Sequence, residues 1–394
     1  MKKLKSMDFF AGAGGLSCGL DQAGFDSILA NEWIPQYAAT FKHNYPNSNI
    51  VVGDIRSLLG KNLRNDLGLK KGELDLLAGG PPCQGFSINA PIRTLDDERN
   101  HLFKDYLRIA EEFLPKAIII ENVPGMVSLG QGTVVEQIYY ELKQLGYSVG
   151  HRIMFAGHFG VPQMRFRTIF IAIKGKTKIE FPEPQYSAKA NTNFTKAKEL
   201  CQFTTPLFES MMEPSPKVGD VFGDLPPIEP KNKTKINAYL SKPLNKYQKY
   251  LRSDSGKEIK NHYCNRIADV NIERLKHIPQ GGSWRDIPFD LLPAGLKRAR
   301  RSDHTRRYGR LHPDQLCSTI LTKCDPHWGS FFHPFEDRVL SVREAARIQS
   351  FPDTYEFLGS TTEQYEQVGN AVPPLLGRAI GIQVRKLLGE EYVQ

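Results

Sequence analysis

Apolar residues in the first 175 or so positions fall into short runs of strand length, separated by amphipathic stretches. Seven strands are expected: Leu4–Phe10, Ser27–Glu32, Asn49–Gly53, Leu74–Ala78, Lys116–Val123, Ser148–Phe155 and Thr168–Ile173. Strands alternating with helical segments are the signature of a parallel sheet with helices packed on it. The clearest helix places Leu102, Tyr106, Ile109 and Phe113 on one face, at a spacing near 3.6 residues. A second runs from Val134 to Leu145 and stops at Gly146, a residue suited to closing a helix. The expected fold class is α/β, a doubly wound, mostly parallel, Rossmann-like sheet, with a second, smaller irregular domain.

From about Pro182 the rhythm is lost, and residues 182–305 are rich in Pro, Asn, Lys and Ser. A helical stretch returns at Ser341–Gln349, followed by the closing sequence GNAVPPLLGRAIGIQVRKLL at 369–388. The boundaries expected from these shifts are 1–184 for the alternating domain, 185–338 for a small domain and 339–394 for a closing segment that opens with a helix.

Composition narrows the classes. A chain of 394 residues is long enough to bury a sizeable core in two lobes. The formal net charge of +9 favours an anionic partner without singling out nucleic acid. Six cysteines are spread without a CxxC pair, which argues against a zinc site or a disulfide scaffold and for a reducing compartment. No apolar run approaches the roughly 18 residues of a membrane span. A soluble, cytoplasmic protein is expected, without a metal.

Charge is concentrated in LKRARRSDHTRRYGR at 296–310, which includes Lys297, Arg298, Arg300 and Arg301. A solvated surface would explain such a run. It stands near PQGGSWRD at 279–286, however, where Gly281 and Gly282 allow close backbone approach and Trp284 offers a ring to wedge or stack. Together they suggest phosphate contact.

Three strand ends suggest an adenosine pocket. FAGAGG at 10–15 follows the first strand and precedes a helix, so its backbone N–H groups can meet a ligand. Glu32 ends the second strand, where an acid can take both ribose hydroxyls, and Asp54 ends the third, beside an adenine edge. No P-loop lysine follows the glycines, which leaves a dinucleotide or S-adenosylmethionine. The stretch GGPPCQGFS at 79–87 follows the fourth strand and lifts Cys83 on a turn that continues as neither strand nor helix. Hydride transfer has no need of a thiol there, so Cys83 favours S-adenosylmethionine. Glu121 closes the apolar fifth strand, where desolvation raises a carboxyl pKa, and it ends on the same sheet edge as Cys83. Arg165 and Arg167, in QMRFR before the last strand, alternate to one side and suit an anionic or carbonyl-bearing substrate.

Taken in order, DFFAGAGGL (8–16), GGPPCQGFS (79–87), ENVPGM (121–126), QMRFR (163–167), RYGRLHP (307–313) and GNAVPP (369–374) closely resemble the DNA cytosine-5 methyltransferases, in particular the bacterial restriction-modification type. The likeness spans nearly the whole chain, and about 185–305 corresponds to the family's variable target-recognition region. The resemblance implies an S-adenosylmethionine pocket lined by Phe10, Ala13, Gly15, Glu32, Trp33, Asp54, Ile55, Pro82 and Leu102, completed by Asn370 and Ala371. It implies Cys83 as nucleophile, with Glu121 and Arg165 holding a flipped cytosine and Arg167 beside them. Double-stranded DNA is the implied partner, met by Ser87 and by the glycines, Trp284 and cations of the second lobe. One active site suffices for asymmetric base flipping, so a monomer is expected. His158 departs from the smaller polar or acidic residue frequent in the family.

A tRNA cytosine-5 methyltransferase shares the same pocket and is the nearest alternative; the basic insert favours DNA. A non-catalytic regulator would not need Cys83, Glu121 and Arg165 together. A dehydrogenase leaves Cys83 and the basic lobe unexplained, and a zinc deaminase lacks its HxE and second cysteine.

Overall fold

The computed structural model describes residues 3–82, 102–190, 210–228, 238–303, 305–325, 327 and 329–390. Their contacts divide into two compact units. The first comprises residues 1–159, 165–213 and 372–394; the second comprises 160–164 and 214–371.

The first unit is built on seven strands, β1 (Leu4–Phe9), β2 (Phe25–Glu32), β3 (Asn49–Val52), β4 (Leu76–Gly79), β5 (Ala117–Asn122), β6 (Tyr147–Phe155) and β7 (Phe166–Lys174). They lie in the order β3-β2-β1-β4-β5-β7-β6. All seven coincide with the expected apolar runs, and β1 to β5 pair in parallel. β7 runs antiparallel to both neighbours, β5 and β6. The inversion has a functional result: the start of β7 lies at the same sheet edge as the end of β5, with Asn122 opposite Thr168.

Helices α1 (Gly15–Gln22), α2 (Pro35–Asn44), α3 (Gly60–Asp66), α4 (Leu102–Phe113) and α5 (Thr133–Gln144) accompany the sheet. The α4 stripe is buried as its spacing predicts, with Tyr106, Ile109 and Phe113 fully enclosed against the central strands. The Tyr106 hydroxyl is positioned to donate to the carbonyls of Leu77 (3.1 Å) and Ile119 (3.0 Å), so the ring crosses β4 and β5 with its polar end satisfied. The C-terminal helix Pro374–Leu387 packs on α1. Their backbones touch at glycine: a Cβ on Gly19 would lie 2.5 Å from the Arg378 nitrogen, and one on Gly381 2.7 Å from the Ala23 Cβ.

The second unit has short helices and, among its described residues, one two-stranded pairing, Gly309–Arg310 with Ser330–Phe332. Its order comes from buried arginines. Arg347 is fully enclosed and contacts Asp224 and Asp353, each at 2.6 Å, while Arg338 contacts Glu344 at 2.7 Å. Ser341 and Glu344 form a reciprocal cap at the start of the helix Val342–Ile348. Residues 160–164, the link between β6 and β7, also belong to this unit. Met164 donates its N–H to Cys317 (2.8 Å), and Gln163 accepts from the Ile320 amide (3.0 Å) and donates to Gln349 (2.9 Å).

Candidate active site

The last two residues before Pro81 are glycines for two different reasons. At Gly79 a Cβ would fall 2.6 Å from the Tyr106 ring, and at Gly80 one would fall 3.0 Å from a carboxylate oxygen of Glu121. The first glycine admits the helix that packs on the sheet; the second admits the acid. Asn122 then fixes the turn. Its side-chain amide donates to the Pro81 carbonyl (2.9 Å) while its oxygen accepts from the Val123 N–H (2.9 Å). Sequence reading passed over Asn122, whose position beside Glu121 in ENV was the available signal. Pro82 is the last described residue before Cys83. Cys83 and Ser87 lie outside the described residues.

Glu121 does not stand alone in an apolar strand end, as expected from its run of isoleucines. Its Oε1 lies 2.6 Å from the Arg167 Nε. Antiparallel β7 explains the correction, because it delivers a guanidinium to the edge where β5 ends. Arg165, just before β7, is 1 % exposed. Burial disfavours its charge and holds its pKa well below the usual arginine value, Arg167 adds to this, and Glu121 opposes it. The structure thus gathers Glu121, Arg165 and Arg167 at one place.

The glycine turn after β1 bends through three left-handed residues, Phe10 (φ 58°), Gly12 (φ 57°) and Gly14 (φ 91°). Glu32 braces it. One carboxylate oxygen accepts from the Gly12 N–H and the other from the Ile34 N–H, both at 2.8 Å. Burial raises the Glu32 pKa, and these backbone donors work against the rise. Ala13 and Gly15 are buried as the turn enters α1, and Ile55 is buried beyond β3. Asp54 caps the short turn Ile55–Ser57 and pairs with Arg56 (2.6 Å), which holds its carboxyl below the ordinary range. Leu102 opens α4 and is half-buried. Asn370 and Ala371 end the helix Thr361–Asn370 and belong to the second unit.

The strand-end residues of the first unit fit an adenosine-type cofactor. Nothing lies within 4 Å of a Cβ built on Gly12 or Gly53, so both strand ends present open backbone. Trp33, beside Glu32, exposes 60 % of its surface, an aromatic platform next to an acid. Among the described residues no cluster of His, Cys, Asp and Glu is arranged to hold a metal ion, and no helix is long and apolar enough to cross a membrane.

Asp8, which sequence reading also passed over, lies beneath the turn. It is fully enclosed, accepts from the Ser17 hydroxyl at 2.6 Å, and burial pushes its pKa up to about 7. An acid inside an apolar strand was the signal.

In the second unit the two suspected DNA-contacting stretches meet. Gly281 donates its N–H to the Arg310 carbonyl (3.0 Å), Arg310 to that of Gly282 (3.1 Å), and Trp284 to that of Arg307 (3.0 Å). Lys297, Arg298, Arg300 and Arg301 are all exposed. Trp284 corrects the expectation: its ring is 3 % exposed and packs in the unit's core with Leu275, Tyr308 and Phe332, so it presents no surface to stack on. The apolar area of an indole is worth more in that core than in solvent.

The mostly parallel α/β sheet thus carries a braced glycine turn after β1 and an acid–arginine pair beyond β5. A family model of the C-5 cytosine-specific DNA methylases matches residues 4–386, and the chain belongs to that family. It is 33% identical to the type II methyltransferase M.AgeI of Thalassovita gelatinovora, over 97% of this chain and 99% of that one. It is 34% identical to the type II methyltransferase M1.HphI of Haemophilus parahaemolyticus, over 98% and 87%. Among solved structures, an E. coli prophage-encoded chain described as a DNA modification methyltransferase matches with a TM-score of 0.74 and 23% identity, covering 98% of this chain and 100% of that one; at that identity it supports the fold.

Proposed function

We propose that this DNA cytosine-5 methyltransferase modifies carbon 5 of a flipped-out cytosine in a specific duplex sequence, through a covalent adduct between Cys83 and carbon 6. The observation that carries the reading is the Glu121 carboxylate lying over Gly80, at the strand exit that leads within three residues to Cys83.

Carbon 5 of cytosine is a poor nucleophile. Addition of the Cys83 thiolate at carbon 6 makes the ring enamine-like and able to accept a methyl group at carbon 5. A free thiol has a pKa of roughly 8.5, so the site must favour the thiolate as the base docks. Glu121, once protonated, donates to ring nitrogen 3 and draws off charge as it accumulates, Arg165 donates to the exocyclic oxygen, and Arg167 positions Glu121. Loss of the carbon 5 proton then allows the thiolate to leave.

S-adenosylmethionine, when bound, supplies an electrophilic methyl group. Phe10, Ala13, Gly15, Glu32, Trp33, Asp54, Ile55, Pro82 and Leu102 would hold it, and the family resemblance adds Asn370 and Ala371. A base stacked in a duplex is out of reach, so flipping is required, at a cost of a few kcal/mol. The cations of the second unit, with Ser87, Gly281 and Gly282, would hold DNA. The type II relatives support a role in protecting host DNA within a restriction-modification system in the bacterial cytoplasm. The protein would act there as a monomer.

The test is transfer of labelled methyl to unmethylated duplex DNA, with tRNA in parallel and Cys83→Ala as control. Label in DNA that vanishes with the variant, while DNA and cofactor still bind, is expected. Label in tRNA alone moves the substrate, and normal transfer by Cys83→Ala removes the nucleophile.

A further inference from the structure

We propose that Phe289 is the aromatic DNA contact of the second unit, set among phosphate-binding cations, and that it carries part of the DNA affinity that salt does not weaken. The inference rests on reading the basic run as a DNA face.

Phe289 is 65 % exposed, although the turn that bears it is firmly built. The short helical turn Phe289–Leu291 is followed by Leu292, whose N–H donates back to the Phe289 carbonyl at 3.2 Å. Leu291 and Leu292 pack against the unit's core, and the Arg274 guanidinium donates to the Leu291 carbonyl at 2.6 Å. The chain therefore packs Leu291 and Leu292 against the core and leaves one large ring outside. The ring is left accessible to a partner.

The ring's neighbours indicate its partner. The Lys297 ammonium stands 5.2 Å from the ring centroid and 3.3 Å from the Asp290 carbonyl. It covers the ring with positive charge. From Phe289 to Arg301 the chain carries Lys297, Arg298, Arg300 and Arg301 against a single carboxylate, Asp290. The Arg301 guanidinium is tied to the Arg285 carbonyl at 2.9 Å, which holds that end of the basic run to the core-facing loop. An apolar partner surface would not tolerate so many exposed cations at its margin. A polyanion with apolar faces between its charges suits both features, and nucleic acid has that chemistry: phosphates for the cations, base and sugar surfaces for the ring. Trp284 and Tyr308, which lie in the same two stretches, are both enclosed and unavailable.

The two contributions differ in salt dependence. Phosphate contacts release counterions and set the slope of affinity against salt, whereas an aromatic contact leaves the slope alone. Binding of the full-length enzyme to labelled duplex would be measured over a series of KCl concentrations. Phe289→Ala is expected to weaken binding by on the order of tenfold at every concentration with the slope unchanged. Phe289→Trp should retain affinity, and a triple alanine variant at Arg298, Arg300 and Arg301 should flatten the slope. The side chain is exposed, so Phe289→Ala should melt as the parent does. Wild-type affinity in Phe289→Ala, beside a flattened slope in the arginine variant, overturns the proposal and leaves the basic face standing. An unchanged slope in the arginine variant removes the basic face and this proposal with it. A change in sedimentation for Phe289→Ala would assign the ring to contacts between protein copies and overturn it equally.

Discussion

Glu121 and Arg167 form an ion pair at 2.6 Å, with both side chains largely withdrawn from solvent. A charge-assisted hydrogen bond in such a setting is worth about 1.5–3 kcal/mol. Arg167→Ala should therefore slow single-turnover methyl transfer by roughly 10- to 100-fold, with cofactor affinity little changed. Arg167→Lys should restore part of the rate, since it returns the charge without the planar donor. An unaltered single-turnover rate in Arg167→Ala would make the pair purely structural.

Asp8 ties stability to pH. Its folded pKa of about 7 stands above the ordinary 3.8. Between those values the folded chain binds a proton that the unfolded chain has released, so this group's contribution falls as pH rises and is lost in full above about pH 7. The loss is on the order of 4 kcal/mol. Asp8→Asn keeps an oxygen for Ser17 and carries no charge. Its melting temperature should exceed the parent's at pH 8, and the advantage should shrink towards pH 5. An advantage of equal size at both pH values would count against a buried, protonating Asp8.

Gly19→Ala would test the contact between α1 and the C-terminal helix. Its added carbon would sit 2.5 Å from the Arg378 nitrogen and 2.7 Å from the Gly377 carbonyl carbon, both backbone atoms with little room to yield. Overpacking of this kind costs about 1–3 kcal/mol or more. A drop in melting temperature and earlier proteolysis of the C-terminal helix are expected.

Arg347→Ala leaves Asp224 and Asp353 buried without the cation that both contact. Breaking a buried pair by removing one partner costs about 3–5 kcal/mol. Urea unfolding of this variant should show the second unit destabilised, and Arg347→Lys should recover little, because one ammonium cannot span both carboxylates as the guanidinium does.

Much of this architecture was legible in the sequence. All seven strands could be read because buried strands leave unbroken apolar runs, and α4 because its stripe repeats at helical spacing. The direction of β7 could not, since a strand reads alike whichever way it runs beside its neighbours. That one unreadable feature governs the site. It brings Arg167 to Glu121 and so changes an isolated carboxyl into half of an ion pair. Trp284 misled for a related reason. Beside glycines and arginines it resembled a surface ring, but local composition does not say which side of a loop faces inward. Asn122 and Asp8 left a local signal, a polar residue in an apolar strand, but that signal does not name their partners Pro81 and Ser17.

The five residues 160–164 belong to the second unit although β6 and β7, on either side of them, belong to the first. The second unit therefore cannot be transplanted between relatives as one continuous cassette. A graft of residues 214–371 alone would replace Ile320 and Gln349 while leaving behind Gln163, which is hydrogen-bonded to both. A chimaera that keeps its register must import the short β6–β7 link as well. Arg165 is the next residue after that stretch, so a donor's second unit would arrive joined directly to the buried arginine beside Glu121.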